Sequence, residues 1–222
     1  KPSLEGLPST YVEADAEALR SLADATREEL AQMRTLPAQR LFDRTLPAVD
    51  EFARRSGKRV RFETTGGEVE IDRGSVDRLF DPLMQLLRNA VAHGIETPEE
   101  RIASGKSDTG TIRLDALVRA ARVLLRVRDD GAGIAVEAVR ERAIELGLLS
   151  PSVAMAASDA EVIDTLFSPG FTSRSAPTEL AGRGVGLDLV QSTVESLGGS
   201  VRVEHVPGAG ATFELRIPAR VT

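Results

Sequence analysis

The chain has 222 residues, 41% hydrophobic and 28% charged, with a formal net charge of −6. That balance suits one folded domain with a core of ordinary size and excludes a disordered polar chain. Cysteine and tryptophan are absent and tyrosine occurs once, which excludes disulfides and thiolate metal sites and argues against stacking platforms for single strands.

Basic residues scattered along an acidic chain argue against nucleic acid as a partner. No apolar run reaches the ~20 residues of a membrane helix, and no signal-peptide pattern opens the chain. The lack of cysteine fits a reducing cytoplasm. The first residue is Lys1 rather than Met, so the expectation is a fragment of a longer protein.

In chain order, Val12 to Met33 carries apolar residues at helical spacing with few strong anchors, which fits either a solvated linker or half of a packed stalk. Leu36–Pro37 breaks it. A second amphipathic helix follows through Phe42, Leu46, Val49 and Phe52 and ends near Ser56–Gly57. Val60 and Phe62, then Val69 and Ile71, flank Thr65–Gly66–Gly67 like a short hairpin. From Asp72, the apolar positions Val76, Leu79, Leu83, Leu86, Leu87 and Val91 predict a buried helix ending at His93–Gly94. Thr97–Pro98 starts a short helix, and Ser104–Gly110 reads as an exposed loop.

Ile112–Val118 and Val123–Val127 predict an antiparallel pair turning at Arg119–Ala121. Helices are expected over Val136–Leu146, Asp159–Leu166 and Leu187–Leu197, and a closing hairpin over Val201–Val203 and Thr212–Ile217. The resulting fold class is α+β: a mixed, mostly antiparallel sheet with helices on one face.

Four segments carry chemistry. Gln85, Asn89 and His93 recur at i, i+4 and i+8, so one helical stripe is polar among apolar neighbours. Asn89 fits two roles, an amide oxygen for Mg²⁺ beside phosphate oxygens or a buried amide bonded to backbone. His93 fits either a charge at a helix C-terminus or a triphosphate contact. Asp129, ahead of Gly131 and Gly133, reads as an Asp-Gly turn or as a carboxylate accepting from an exocyclic amine. Gly182, Gly184 and Gly186 precede an apolar helix, where free backbone N–H groups attract phosphate; Arg183 adds a cation. The polar stretch from Thr172 to Pro177 suits a flap.

In this order the segments LLRNAVAHGIE, DDGAGI, FSPGF, GRGVGLDLV and GATFELRIP resemble the ATP-binding kinase domain of CheA-type chemotaxis histidine kinases. Those belong to the gyrase, Hsp90, histidine kinase and MutL superfamily, whose Bergerat-type two-layer sandwich is the implied fold. The resemblance covers about Leu36 to Pro218. Residues 36–222 are then the catalytic domain, and residues 1–35 a helical linker or the remnant of a dimerisation hairpin.

The resemblance implies ATP and Mg²⁺ as cofactors, with Asn89 as the metal ligand and Asp129 as the adenine-binding carboxylate. Phe167–Phe171 becomes the hinge of an ATP lid, and Gly182, Arg183, Gly184, Val185, Gly186 and Leu187 close over the phosphates. Thr212 is placed near the adenine; Arg142, Thr172 and Arg174, with His93, near the triphosphate. Gln85 stands where the family usually has His and where hydrolysing relatives have a general-base Glu. An amide orients a water or phosphate oxygen but takes no proton. Ala92 replaces the family's Asp before His-Gly.

The implied function is transfer of the γ-phosphoryl to a histidine on a separate phosphotransfer domain, then to a response regulator. A coupling protein, a receptor array and a homodimer of the full-length protein come with it. Departures at Gln85 and Ala92 keep a nucleotide-binding pseudokinase scaffold as the alternative, and a gyrase- or MutL-type ATPase as a weaker one. Neither His93 nor His205 lies on an exposed helix by sequence, so the acceptor histidine is expected elsewhere.

Overall fold

A computed structural model describes residues 17, 19–23, 34–171 and 186–219. Of the predicted N-terminal helix this includes a short piece, helical over 19–23, with Leu19 and Leu22 exposed.

Strand β1 (Thr35–Pro37) leads into helix α1 (Gln39–Arg55). Phe42 and Val49 of α1 are buried as the apolar spacing predicts, but Leu46 is exposed. Leu36–Pro37 is therefore not a simple break: β1 pairs antiparallel with β3 (Glu70–Asp72). The predicted hairpin between β2 (Val60–Thr65) and β3 does not form. The carbonyls that follow Gly66 are used elsewhere, since Gly67 O accepts from Gln39 N at 2.9 Å and Val69 O from Ala38 N at 2.8 Å. Strand β2 instead lies parallel to β4, with Phe62 opposite Ile112.

Helix α2 (Arg73–Asn89) begins where Asp72 Oδ2 accepts from Ser75 N. Val76, Leu79, Leu83, Leu86 and Leu87 line its buried face. The predicted single helix to Gly94 changes pitch at Asn89, and Ala90–Gly94 forms a wider π turn closed by Ile95 N on Ala90 O at 2.8 Å. A π turn adds a residue to the repeat and often marks a functional position.

Helix α3 (Pro98–Ala103) has a complete capping box between Thr97 and Glu100. Strands β4 (Gly110–Arg119) and β5 (Arg122–Asp129) form the predicted antiparallel pair. Their two-residue turn holds Ala120 and Ala121 at φ of 50° and 56°, the left-handed geometry that matches strand twist.

Helix α4 (Val136–Glu145), α5 (Pro151–Ala156) and α6 (Asp159–Asp164) follow. The sequence reading missed α5, a short helix capped by Ser150. A 3₁₀ turn spans Thr165–Phe167, and α7 covers Leu187–Ser196. Strands β6 (Ser200–Val206) and β7 (Gly210–Pro218) close the chain as the predicted hairpin.

The main sheet runs β2-β4-β5-β7-β6, and only β2–β4 is parallel. Its inner face presents Ile112, Leu114, Val123, Leu125, Val127, Phe213, Leu215 and Ile217 to the apolar sides of α1, α2 and α7. Each such side chain fully removed from water contributes about 1.5–3 kcal/mol. This is the mixed α+β sandwich expected from the sequence. Among the described residues, no helix is long and apolar enough to cross a membrane.

Candidate nucleotide site

Asp129 ends β5 on the core side of the sheet, with 4% of its surface exposed. Its Oδ1 accepts from Gly131 N at 3.0 Å and Ala211 N at 3.3 Å. No described residue donates to Oδ2. Burial pushes the carboxyl pKa up, the two N–H bonds oppose this, and the nearby charges of Asp130 and Glu96 add to the rise. A buried carboxylate with one oxygen fixed by backbone donors offers the other as a directed acceptor.

Backbone packs tightly around this carboxyl. A Cβ at Gly131 would lie 1.9 Å from Gly94 O, and Ala132 N donates to that same oxygen at 2.9 Å. Gly210, at φ +103°, brings β7 so close that a Cβ would lie 1.9 Å from Asp129 O. Gly133 has a left-handed φ and lies against Val206 O, so it shapes the loop toward the β6–β7 turn.

The Asp130–Gly131 backbone is held from behind by charges the sequence reading did not single out. Arg101, only 2% exposed, bonds Glu96 Oε2 at 3.0 Å, Asp130 Oδ2 at 3.2 Å and Ser107 O at 2.7 Å. Lys106 Nζ reaches Glu96 Oε1 at 2.6 Å, Asp130 O at 3.1 Å and Gly131 O at 2.7 Å. Burial raises the Glu96 pKa, but the Lys106 bond and charge, a backbone N–H bond and the Arg101 bond together more than offset it and hold the carboxyl below its usual range. The loop of Ser104–Gly110 is thus partly exposed yet anchored.

On α2, Gln85 Nε2 donates to Asn89 Oδ1 at 3.1 Å, both side chains half-buried. The stripe predicted at i, i+4 holds for this pair. His93 sits in the π turn, exposed, and hydrogen-bonds to neither. It does not serve the helix end as a cation either. Lys58 Nζ takes the carbonyls of Val91 and Ala92 at 2.8 and 2.7 Å. Partial desolvation, and then the Lys58 ammonium, depress the His93 pKa and favour neutral imidazole.

Thr212 departs from expectation. It pairs in register with Arg128 and Glu204, and its side chain shares the outer face of the sheet with theirs. Asp129 is on the inner face, so the neighbour that reaches it is Ala211, through its N–H. Strand alternation is the signal that distinguishes the two positions. Arg142 bonds Glu145 Oε2 at 2.8 Å on its own helix, and no bond links it to Asp129 or Asn89.

Phe171 is buried with Val139, Ala143 and Val162, anchoring one end of the Phe167–Phe171 segment. Phe167 lines a cavity of about 480 Å³ with Asp164, Gln191, Val201 and Val203, and none of Asp129's partners lines it. Gly186 caps α7 without a side-chain bond, and Leu187 is buried in the core. What these two residues offer a ligand is backbone at a helix start. Thr172, Arg174, Gly182, Arg183, Gly184 and Val185 lie outside the described residues.

Four similarities to known proteins stand beside this geometry. The chain is 40% identical to the chemotaxis protein CheA of Halobacterium salinarum, over 91% of this chain and 30% of that protein. It is 38% identical to CheA of Rhizobium meliloti, over 91% of this chain and 26% of that one. It therefore spans only about a quarter to a third of the length of these relatives. Among solved structures, the catalytic domain of histidine kinase ThkA aligns with TM-score 0.53 and 18% identity, over 83% of this chain and 94% of that one. That likeness concerns the fold alone. The family described as histidine kinase-, DNA gyrase B- and HSP90-like ATPase matches residues 74–221, the span that holds the side-chain hydrogen-bond partners of Asp129 and Asn89, and the chain belongs to that family.

Proposed function

We propose that this chain is the catalytic domain of a chemotaxis-type protein-histidine kinase, transferring the γ-phosphoryl of Mg-ATP to a histidine on a separate phosphotransfer domain. The observation that carries the reading is the buried Asp129 carboxyl. Its Oδ1 is fixed by two backbone N–H groups and its Oδ2 is left without a described donor. An exocyclic amine donates to such an oxygen, whereas a carbonyl in its place meets repulsion.

Asn89 Oδ1 is the oxygen offered to magnesium. Carbonyl oxygen has two lone pairs, and Gln85 uses one. Among the described residues, no group of three or more His, Asp or Glu forms a metal cage. That suits Mg²⁺, which prefers one or two protein ligands with phosphate and water. When bound, the ion neutralises charge on the phosphates. Gln85 keeps the Asn89 amide oriented; neutral His93 and the α7 start, with Gly186 and Leu187, supply hydrogen-bond donors toward the phosphates. Arg142, Thr172, Arg174 and the Gly182–Val185 segment with Arg183 are proposed cationic and backbone contacts of the triphosphate.

No carboxylate or imidazole occupies position 85, so this chain has no base there to activate water. That disfavours the gyrase- and MutL-type ATPase. An acceptor imidazole is itself nucleophilic and needs positioning and charge neutralisation more than a base. The Gln85–Asn89 bond favours one second reading, a nucleotide-binding scaffold without transfer, because it draws on the oxygen that magnesium needs. Passage of the phosphoryl to a response regulator, a coupling protein, a receptor array, a homodimer of the whole protein and a cytoplasmic setting follow from the leading reading.

Incubation with labelled ATP and Mg²⁺, with and without a candidate histidine phosphotransfer domain, tests it. Acid-labile phosphate on the added domain supports transfer. ATP binding with no transfer supports the scaffold, and hydrolysis without an acceptor supports the ATPase.

A further inference from the structure

Among the described residues no helix of the core cluster covers the outer face of the sheet, and alternation along the strands collects arginines there that are scattered in sequence. Arg119, Arg126, Arg128, Arg202 and Arg216 line a concavity of about 400 Å³. Only Asp115, Glu204 and Glu214 answer them in that lining. The patch is therefore locally positive on a chain whose net charge is −6.

Its charge pairing is mixed: Asp115 and Glu214 face Arg126 directly and Arg113 bonds Glu63, yet like charges also meet. Arg119 faces Arg122, and Arg113 faces Arg128, directly across the β4–β5 ladder. Like charges in that relation are destabilising. Glu214 is shared, accepting from Arg126 at 2.5 Å and also from Arg216, while Arg202 stands opposite it in register. Arg119, Arg128 and Arg202 are exposed, and no described carboxylate pairs with them. Guanidinium forks without partners are ready for bidentate carboxylate recognition.

We propose that this face docks a carboxylate-rich segment of a partner protein. Nucleic acid fits less well. Asp115, Glu204 and Glu214 interrupt the arginines and repel a continuous phosphate backbone, and the concavity has no aromatic side chain for stacking. An acidic protein segment tolerates such interruptions, because its own basic residues can meet them and set the register. The surface is separate from Asp129, which faces the core, so the proposal does not depend on the nucleotide reading.

The test uses a fluorescently labelled polyglutamate peptide as the probe, titrated at low salt, with backbone amide shifts to locate binding. Shifts are expected on β5, β7 and β6. The Arg128→Glu/Arg202→Glu variant is expected to weaken binding about tenfold or more while leaving ATP affinity unchanged. The Arg128→Lys/Arg202→Lys variant is expected to retain part of the affinity, and circular dichroism checks that both variants fold. No binding by the unmodified chain, equal binding by the charge-reversed variant, or equally tight binding of an oligonucleotide of matched charge overturns the proposal.

Discussion

Gln85 Nε2 donates to Asn89 Oδ1 at 3.1 Å, so the oxygen proposed for magnesium is already oriented by an amide one helical turn away. Replacing Gln85 with Leu keeps the size but removes the donor. The expected effect is about a three- to tenfold loss in the affinity for Mg-ATP, the range of a single hydrogen bond to a metal ligand. Affinity for ADP measured without magnesium should stay the same. Calorimetry in the presence and absence of Mg²⁺ separates the two, and equal losses in both show that Gln85 acts on the nucleotide rather than through Asn89.

Asp129 is expected to cost the fold stability at neutral pH. Its pKa is raised in the folded state by burial, so the protonated form is the one the fold favours. The penalty is absent below the ordinary aspartate value, grows as pH rises from there through the raised value, and is constant above it. Asp129→Asn keeps an oxygen acceptor for Gly131 and Ala211. The variant should be as stable as the parent or more so at pH 7, with the difference shrinking in acid. Urea unfolding across that pH range measures it.

Arg101 and Lys106 are expected to differ in weight. Arg101→Met removes the buried guanidinium from Asp130 and Ser107 O and leaves Glu96 to Lys106 alone, and should cost about 2–3 kcal/mol of stability. Lys106 is 20% exposed, and Lys106→Met should cost about 1–2 kcal/mol while loosening Gly131 and weakening ATP binding. Glu96 has a lowered pKa, so its contribution is whole above the ordinary glutamate value and is lost as pH falls through the lowered one. Acid should therefore reduce the difference between parent and Lys106→Met.

Lys58, rather than His93, satisfies the end of the π turn. Lys58→Met should move the His93 pKa back up toward its ordinary 6.5, because one of its two causes is removed. The folded pKa of His93 is lowered, so the fold gains nothing from its charge. Stability is full above 6.5 and declines as pH falls from there through the lowered value. Proton NMR titration of the His93 ring reads the shift, and an unchanged value contradicts the role given to Lys58.

Local pattern carried most of these elements. The Thr97–Pro98 helix start and the alternation in β4 and β5 each act within a few residues, and both formed as their patterns indicate. What stayed hidden depends on distant partners. The β2–β3 hairpin was plausible until Ala38 and Gln39 took the carbonyls of Val69 and Gly67. Lys106 carries no local sign of its reach to Gly131, 25 residues on. Thr212 was misplaced by a single residue, and strand parity made that a change of face. The arginines of the outer face were judged scattered because their clustering exists only after the strands pair.

The central claim is that Asp129 reads the adenine of ATP. Isothermal titration of the unmodified chain and of Asp129→Asn, each with Mg-ATP and Mg-GTP, tests it most directly. The account predicts that the parent binds ATP well above GTP, and that the variant loses about a hundredfold in ATP affinity, the scale of a buried hydrogen bond to a charged group. ATP binding that is unchanged in a folded Asp129→Asn variant, or a parent that does not distinguish ATP from GTP, would contradict it.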